Sequence, residues 1–241
     1  MPAKIHQFSC RQDNFGVLIH DPQSGATAAS DAPDAEAVEK ALAETGWKLT
    51  DILVTHRHLD HVAGITPLVE KYKCRVTAPA RARAEMPGAD VFVEEGAAVS
   101  VGSLKAEVWD TPGHCRDHIA YYFAADKTLM AGDTLFALGC GRVSESTYAE
   151  MHASLMRMAM LPGDTAVYCG HEYTLANAKF ALAAEPDNAA LKIYAAEVEA
   201  KRARGEVCLP TTIARELAAN PFLRATDLAE FQRLREWKNK F

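Results

Sequence analysis

Short apolar runs closed by polar turns fill the first two thirds of the chain, and longer helical patterns fill the rest. Residues 15–20 form the first run, and Asp21-Pro-Gln-Ser-Gly25 reads as the turn that ends it. Asp34 stands before a helical pattern carrying Ala35, Val38, Leu42 and Ala43, and can cap its first turn. Residues 51–55 are a short, mostly β-branched strand that runs straight into His56. Residues 62–72 read as a helix. Strands are predicted over residues 75–79, 91–94, 98–101, 104–110, 119–123 and 128–131. Residues 151–160, apolar nearly throughout, predict a helix buried against a sheet, and residues 166–169 a last strand. After Glu172 the pattern changes. Residues 175–203, rich in Ala, Glu, Lys and Leu and interrupted by Pro186, predict two helices, and residues 226–241 one more. The predicted boundary lies near residue 173, between a β-rich domain over 1–172 and a smaller helical domain over 173–241. No solenoid repeat and no low-complexity segment is evident.

Composition narrows the class. A chain of 241 residues with 49% hydrophobic and 24% charged residues is an ordinary globular protein. The net charge of −6 argues against a nucleic-acid substrate, which favours a basic surface. No apolar stretch is long enough to span a bilayer, and residues 1–10 hold no apolar core of a secretory signal. The six cysteines are scattered singly, without CxxC pairs, which predicts a reduced, cytoplasmic protein rather than a disulfide framework.

The chemistry concentrates in Thr55-His56-Arg57-His58-Leu59-Asp60-His61. If the strand continued, His56 and His58 would point the same way, since side chains alternate. The following turn can direct Asp60 and His61 to a second point. Imidazole and carboxylate donors suit zinc, iron or manganese. A lone HxH is more often a polar surface loop than a metal site, but four donors packed behind an apolar strand are not. Three further segments each put one donor just past an apolar strand: Thr111-Pro-Gly-His114, Ala131-Gly-Asp133-Thr134 and Cys169-Gly-His171-Glu-Tyr173.

HxHxDH followed by His, Asp and His resembles the ligand order of metallo-β-lactamase-fold hydrolases. The resemblance implies an α/β (α+β) chain: an αββα sandwich with its site at one edge, followed here by a small C-terminal helical domain. It further implies two divalent metal ions, zinc foremost, with iron or manganese as alternatives. His56, His58 and His114 would hold the first, Asp60, His61 and His171 the second, and Asp133 would bridge them. Asp60 and Asp133 would carry the catalytic role, directing the attacking water. His118 is left as an orienting residue, and His6, His20 and His152 as ordinary ones.

Within that superfamily, Cys169-Gly-His-Glu-Tyr-Thr174, Gly139-Cys-Gly-Arg142, Pro210-Thr-Thr-Ile213, Asn220-Pro-Phe-Leu-Arg224 and Arg235-Glu-Trp-Lys238 resemble segments of the hydroxyacylglutathione hydrolase (glyoxalase II) family. Asp13-Asn14-Phe15 extends the likeness towards the start. The likeness implies cleavage of a glutathione thioester, S-D-lactoylglutathione, to glutathione and D-lactate, the second step of methylglyoxal detoxification. Arg235 and Lys238, at i and i+3, share a helix face and can clamp a carboxylate. Arg142 and Tyr173 are the other substrate-binding candidates. No nucleic-acid or membrane partner is expected, and the chain is expected to act as a monomer. Three positions depart from the family pattern, one of them Cys115, which stands in place of a threonine. Ser144 replaces a frequent aromatic residue, and Asp117 introduces a carboxylate near the donors. The runner-up activities are a persulfide dioxygenase using only His56, His58 and His114, or another hydrolase of the same fold. A non-catalytic metal store is the alternative of a different class, but a seven-ligand set exceeds what a closed structural site needs.

Overall fold

The computed structural model describes residues 1–241, and its contacts divide the chain into two compact units. The first comprises Met1–Asp110 and Asp117–Gly132, the second Thr111–Arg116 and Asp133–Phe241.

The first unit opens with three antiparallel strands, β1 (Lys4–Cys10), β2 (Asn14–His20) and β3 (Thr27–Ser30). Parallel strands β4 (Asp51–Leu53), β5 (Arg75–Pro79) and β6 (Val91–Val93) extend the same sheet in chain order. Parallel neighbours need crossovers. Helix α1 (Ala35–Thr45) supplies the first, and α2 (Leu59–Val62) with α3 (Ile65–Tyr72) the second. Asp34 does cap α1, accepting from Ala37 N at 2.9 Å. The helices bury Val38, Ala41, Leu42 and Leu68 against Leu18, Ile52 and Val76 of the sheet and Val54 just past β4, all at most 4% exposed. Strands β7 (Ala98–Val101), β8 (Leu104–Asp110), β9 (Ile119–Phe123) and β10 (Thr128–Gly132) form antiparallel neighbours in a second sheet.

The second unit is mostly helical. A two-stranded ribbon, β11 (Leu135–Phe136) and β12 (Gly139–Cys140), precedes α4 (Tyr148–Ala159). Strand β13 (Ala166–Cys169) pairs antiparallel with β14 (Thr211–Thr212). Between them lie α5 (Thr174–Ala184) and α6 (Ala189–Ala203), and after them α7 (Ile213–Ala219), α8 (Pro221–Arg224) and α9 (Leu228–Lys238). A core of Leu138, Ala178, Ala181, Leu191, Tyr194 and Val198 joins α5, α6 and the ribbon turn. No helix is long and apolar enough to cross a membrane.

Three expectations change. The strand expected over residues 51–55 ends at Leu53, because Asp31 takes Thr55 out of the ladder. Its carboxylate accepts from Thr55 N at 2.7 Å and Thr55 Oγ1 at 2.8 Å. His56 and His58 therefore sit on a loop, not a strand, and Asp60 and His61 on a short helix rather than a turn. The helix expected over 62–72 is two helices, split where Gly64 passes the backbone of residues 32–35. A Cβ on Gly64 would lie 2.7 Å from Ala35 N. Helix α4 begins three residues before Met151, where Thr147 and Glu150 form a reciprocal capping box.

Candidate active site

In the first unit, the loop after β4 gathers imidazoles. His56 Nε2 lies 3.1 Å from His58 Nδ1, and His56 Nδ1 lies 3.0 Å from Thr55 Oγ1. The His56 ring stands 4.1 Å from that of His61 and 4.9 Å from that of His118, centroid to centroid. Asp31, His56 and His61 are all buried, with donor atoms within 4.8 Å of one another. Asp31 bonds His61 Nδ1 at 2.8 Å, which turns Nε2 towards Asp60 Oδ2 at 3.9 Å. Asn14 Nδ2 donates to Asp60 O at 3.1 Å and Oδ2 at 3.3 Å, fixing that carboxylate from β2. Gly132 is required beside this cluster. Its φ is +49°, and an added Cβ would lie 2.6 Å from His118 Nε2.

Asp117, the carboxylate that the sequence puts near the donors, is held by Arg57. It is 4% exposed and bonded to Arg57 through Nη1 at 2.5 Å and the backbone N–H at 2.9 Å. Arg57, the residue between the two histidines, neutralises it.

In the second unit, Asp133 joins two histidines from separate loops. Its Oδ2 lies 3.6 Å from His114 Nε2 and 3.3 Å from His171 Nε2. The ring of Tyr173 lies parallel to that of His171, 4.7 Å away at 2°. His114 Nδ1 faces the carbonyl of Arg142 at 3.0 Å, and Ser144 Oγ donates to His114 O at 2.9 Å. Ser144 thus acts as a brace for His114, at a position where the family pattern often has an aromatic residue. Gly141 allows this closeness, since a Cβ there would lie 2.0 Å from Asp133 O.

The same unit holds a cavity of about 580 Å³ whose wall includes His114, Asp133, Arg142, Tyr173, Arg235 and Lys238. That volume suits a small-molecule ligand. Every substrate-binding residue expected from the sequence lines it. The helix α9 pair is not a solvated charged face: Arg235 is 4% exposed. Its Nη1 donates to Cys140 O at 2.9 Å, its Nε has no protein partner, and no carboxylate pairs with it. Lys238 Nζ donates to Ala176 O at 3.0 Å. Burial, followed by the charge of Arg235, lowers the Lys238 pKa to about 8. A buried guanidinium with no carboxylate partner beside a half-buried ammonium leaves this wall with positive charge that an anion could offset.

The donors fit metal. Two imidazole nitrogens 3.1 Å apart, at His56 and His58, match two ligands of one ion at about 2.1 Å each. A single carboxylate oxygen within 3.6 Å of two histidines, at Asp133, has the spacing of a bridge. Asp31 on His61 and the Arg142 carbonyl on His114 fix ring orientation, as partners of metal-binding histidines do. Sequence reasoning missed Asp31, which sits in a polar stretch after β3 with no motif around it. Asn14 carried only a likeness. The remaining histidines stay apart from these clusters: His20 stacks on Trp47 at 4.5 Å, His6 lies 3.6 Å from Glu44, and His152 packs on Phe231.

Two family models match the chain in succession. The metallo-beta-lactamase superfamily covers residues 16–171, and the hydroxyacylglutathione hydrolase C-terminus covers residues 172–241. The chain is 52% identical over 254 residues to a protein named hydroxyacylglutathione hydrolase from Rhodopseudomonas palustris (strain BisA53), covering 100% of both chains. Among solved structures, ETHE1 from Myxococcus xanthus matches with a TM-score of 0.74 at 27% identity, over 97% of this chain and 90% of that one. TTHA1623, solved in a di-iron-bound form, matches with a TM-score of 0.59 at 26% identity, over 69% of this chain and 91% of that one.

Proposed function

Because the chain belongs to the hydroxyacylglutathione hydrolase family of the metallo-β-lactamase superfamily, we propose that it hydrolyses S-D-lactoylglutathione to glutathione and D-lactate. The fold is that of the superfamily, with a helical C-terminal region. The observation that carries the substrate is the anion wall: buried, unpaired Arg235 beside Lys238 in a cavity that also contains His114 and Asp133. Glutathione carries carboxylates at its ends, and one of them supplies the charge this wall lacks.

The metal assignment follows the family order. His56, His58 and His114 would hold one divalent ion, Asp60, His61 and His171 the other, with Asp133 shared. The donor chemistry accepts zinc, iron or manganese. When bound, such ions lower the pKa of water and polarise a carbonyl. The chain's own residues do the rest. Asp60, held by Asn14, orients the attacking water and accepts its hydrogen bond. Arg235 and Lys238 hold the substrate carboxylate, while Arg142 and Tyr173 reach the peptide portion. Water adds to the thioester carbonyl and the C–S bond breaks. A thiol of pKa about 8.5 leaves as thiolate without a protonated acid, so none is needed in the motifs. Residues 1–172 then carry the chemistry and 173–241 most of the substrate grip, a division supported by the two family models meeting there. A reduced, cytoplasmic setting is supported by six buried cysteines, none of them in a disulfide. The reading keeps the chain as a monomer.

The test is thiol release from S-D-lactoylglutathione, run beside oxygen uptake with glutathione persulfide. Release without oxygen uptake is expected. Oxygen uptake without release would replace the hydrolase with the dioxygenase.

A further inference from the structure

A buried polar lock in the helical unit fastens the ribbon β11–β12, and the ribbon leads within two residues to the Arg142 carbonyl that meets His114. The ribbon turns through Ala137 and Leu138, and Leu138 is wholly buried with φ +56°, a conformation that disfavours side chains. Side chains from the helices take up its backbone polar groups. Glu216 accepts from Leu138 N at 2.7 Å. Asn220 Nδ2 donates to Phe136 O at 3.3 Å and Gly139 O at 3.0 Å. Asn177 Nδ2 donates to Ala137 O at 3.1 Å, and Arg235 to Cys140 O at 2.9 Å. Glu216 is the hub. It is 0% exposed, has no cation as partner, and also accepts from Asn220 Nδ2 at 2.9 Å, Thr211 Oγ1 at 2.6 Å and Tyr194 Oη at 3.1 Å.

Two residues beyond the ribbon, the Arg142 carbonyl meets His114 Nδ1 at 3.0 Å. A carbonyl can only accept, so Nδ1 carries a proton in this contact, and Nε2 faces Asp133 Oδ2 at 3.6 Å. Gly141 N, donating to Thr134 O at 3.1 Å, ties the intervening residue to the Asp133 loop. The position of the Arg142 carbonyl therefore depends on where the ribbon is held.

We propose that Glu216 and Asn220 are positioning residues for His114: by clamping the ribbon they set the tautomer and aim of that imidazole from the helical side. The proposal deepens the functional reading, because it takes His114 as a metal donor. It assigns the helical segment a second task besides gripping substrate.

Four variants test it. Asn220→Asp keeps volume and the cap on Phe222 N but sets a carboxylate against two carbonyls and Glu216. Glu216→Ala removes the acceptor that four donors share. Glu216→Gln should rescue, since its oxygen can serve Leu138 and Asn220 while the Thr211 and Tyr194 hydroxyls reverse. Asn188→Ala removes the cap of α6, accepting from Leu191 N at 3.1 Å, and is the control for simple loss of stability. Zinc release to a chelator is measured on the holoprotein, and the ¹⁵N shifts of the His114 ring on the metal-free protein. Asn220→Asp and Glu216→Ala are expected to release zinc about tenfold faster or more and to lose the single Nδ1–H tautomer. Glu216→Gln and Asn188→Ala are expected to resemble the parent in both. Unchanged release and tautomer in Asn220→Asp, at a stability matched to Asn188→Ala, would overturn the proposal. That variant decides alone if Glu216→Ala does not fold. If the parent protein bound none of zinc, iron or manganese, the functional reading would fail, and the tautomer measurement would still decide the lock.

Discussion

Replacing Arg235 with Met separates grip from scaffold. Met keeps most of the apolar stem and removes the charge. Arg235 makes one hydrogen bond to a backbone carbonyl, to Cys140 at 2.9 Å, and leaves Nε buried without a protein partner. A charge-assisted bond to a substrate carboxylate contributes roughly 1.5–3 kcal/mol, which is a KM increase of roughly 10- to 150-fold. The effect on kcat should stay within about threefold, because the lost contact is remote from the reacting carbon and equally made in ground and transition states. Stability should barely move. Losing the Cys140 bond costs about 1 kcal/mol, and no longer burying an uncompensated cation offsets it. For a chain of this size 1 kcal/mol moves Tm by about 2–4 °C. Thiol-release kinetics and thermal unfolding on the same preparation read both effects. A Tm lowered by more than about 10 °C with an unchanged KM would refute the reasoning and make Arg235 a strut.

Other outcomes follow from the same geometry. Lys238 is protonated below its lowered pKa of about 8 and neutral above it, so kcat/KM should fall as pH rises through that value. Lys238→Arg, which stays charged, should abolish the fall, and a profile unchanged by that variant would show that another group titrates. Asp31→Ala removes the partner of His61 Nδ1 and should weaken zinc binding by about 10- to 100-fold in chelator competition. Undiminished affinity would mean that Asp31 only shapes the loop through Thr55.

Much of the fold was legible because buried strands alternate with turns whose residues announce themselves. Arg75–Pro79 and Leu104–Asp110 fall where the apolar pattern puts them, and Pro186 separates two helices as expected. The failures share a cause, which is tertiary competition for local groups. Thr55 has strand-like neighbours, but a carboxylate 24 residues earlier claims its N–H. The helix through Gly64 is broken by a backbone that packs from residues 32–35. Strand β1 (Lys4–Cys10) carries polar residues at half-buried positions and gives no apolar run. At the site, donors were legible because their side-chain chemistry is rare in such density. Their supports were not. Asp31, Glu216 and the Arg142 carbonyl act through distances that no local pattern encodes, and Asp117 changes meaning once Arg57 is seen to pair with it.

The central claim, a two-metal thioester hydrolase, is tested most directly by titration. Metal is stripped with a chelator, zinc is returned in measured equivalents, and thiol release from S-D-lactoylglutathione is followed at each step. The account predicts no release from the stripped protein and a plateau at two equivalents per chain, absent from Asp133→Ala. Full activity at one equivalent, or activity that survives stripping, would contradict it.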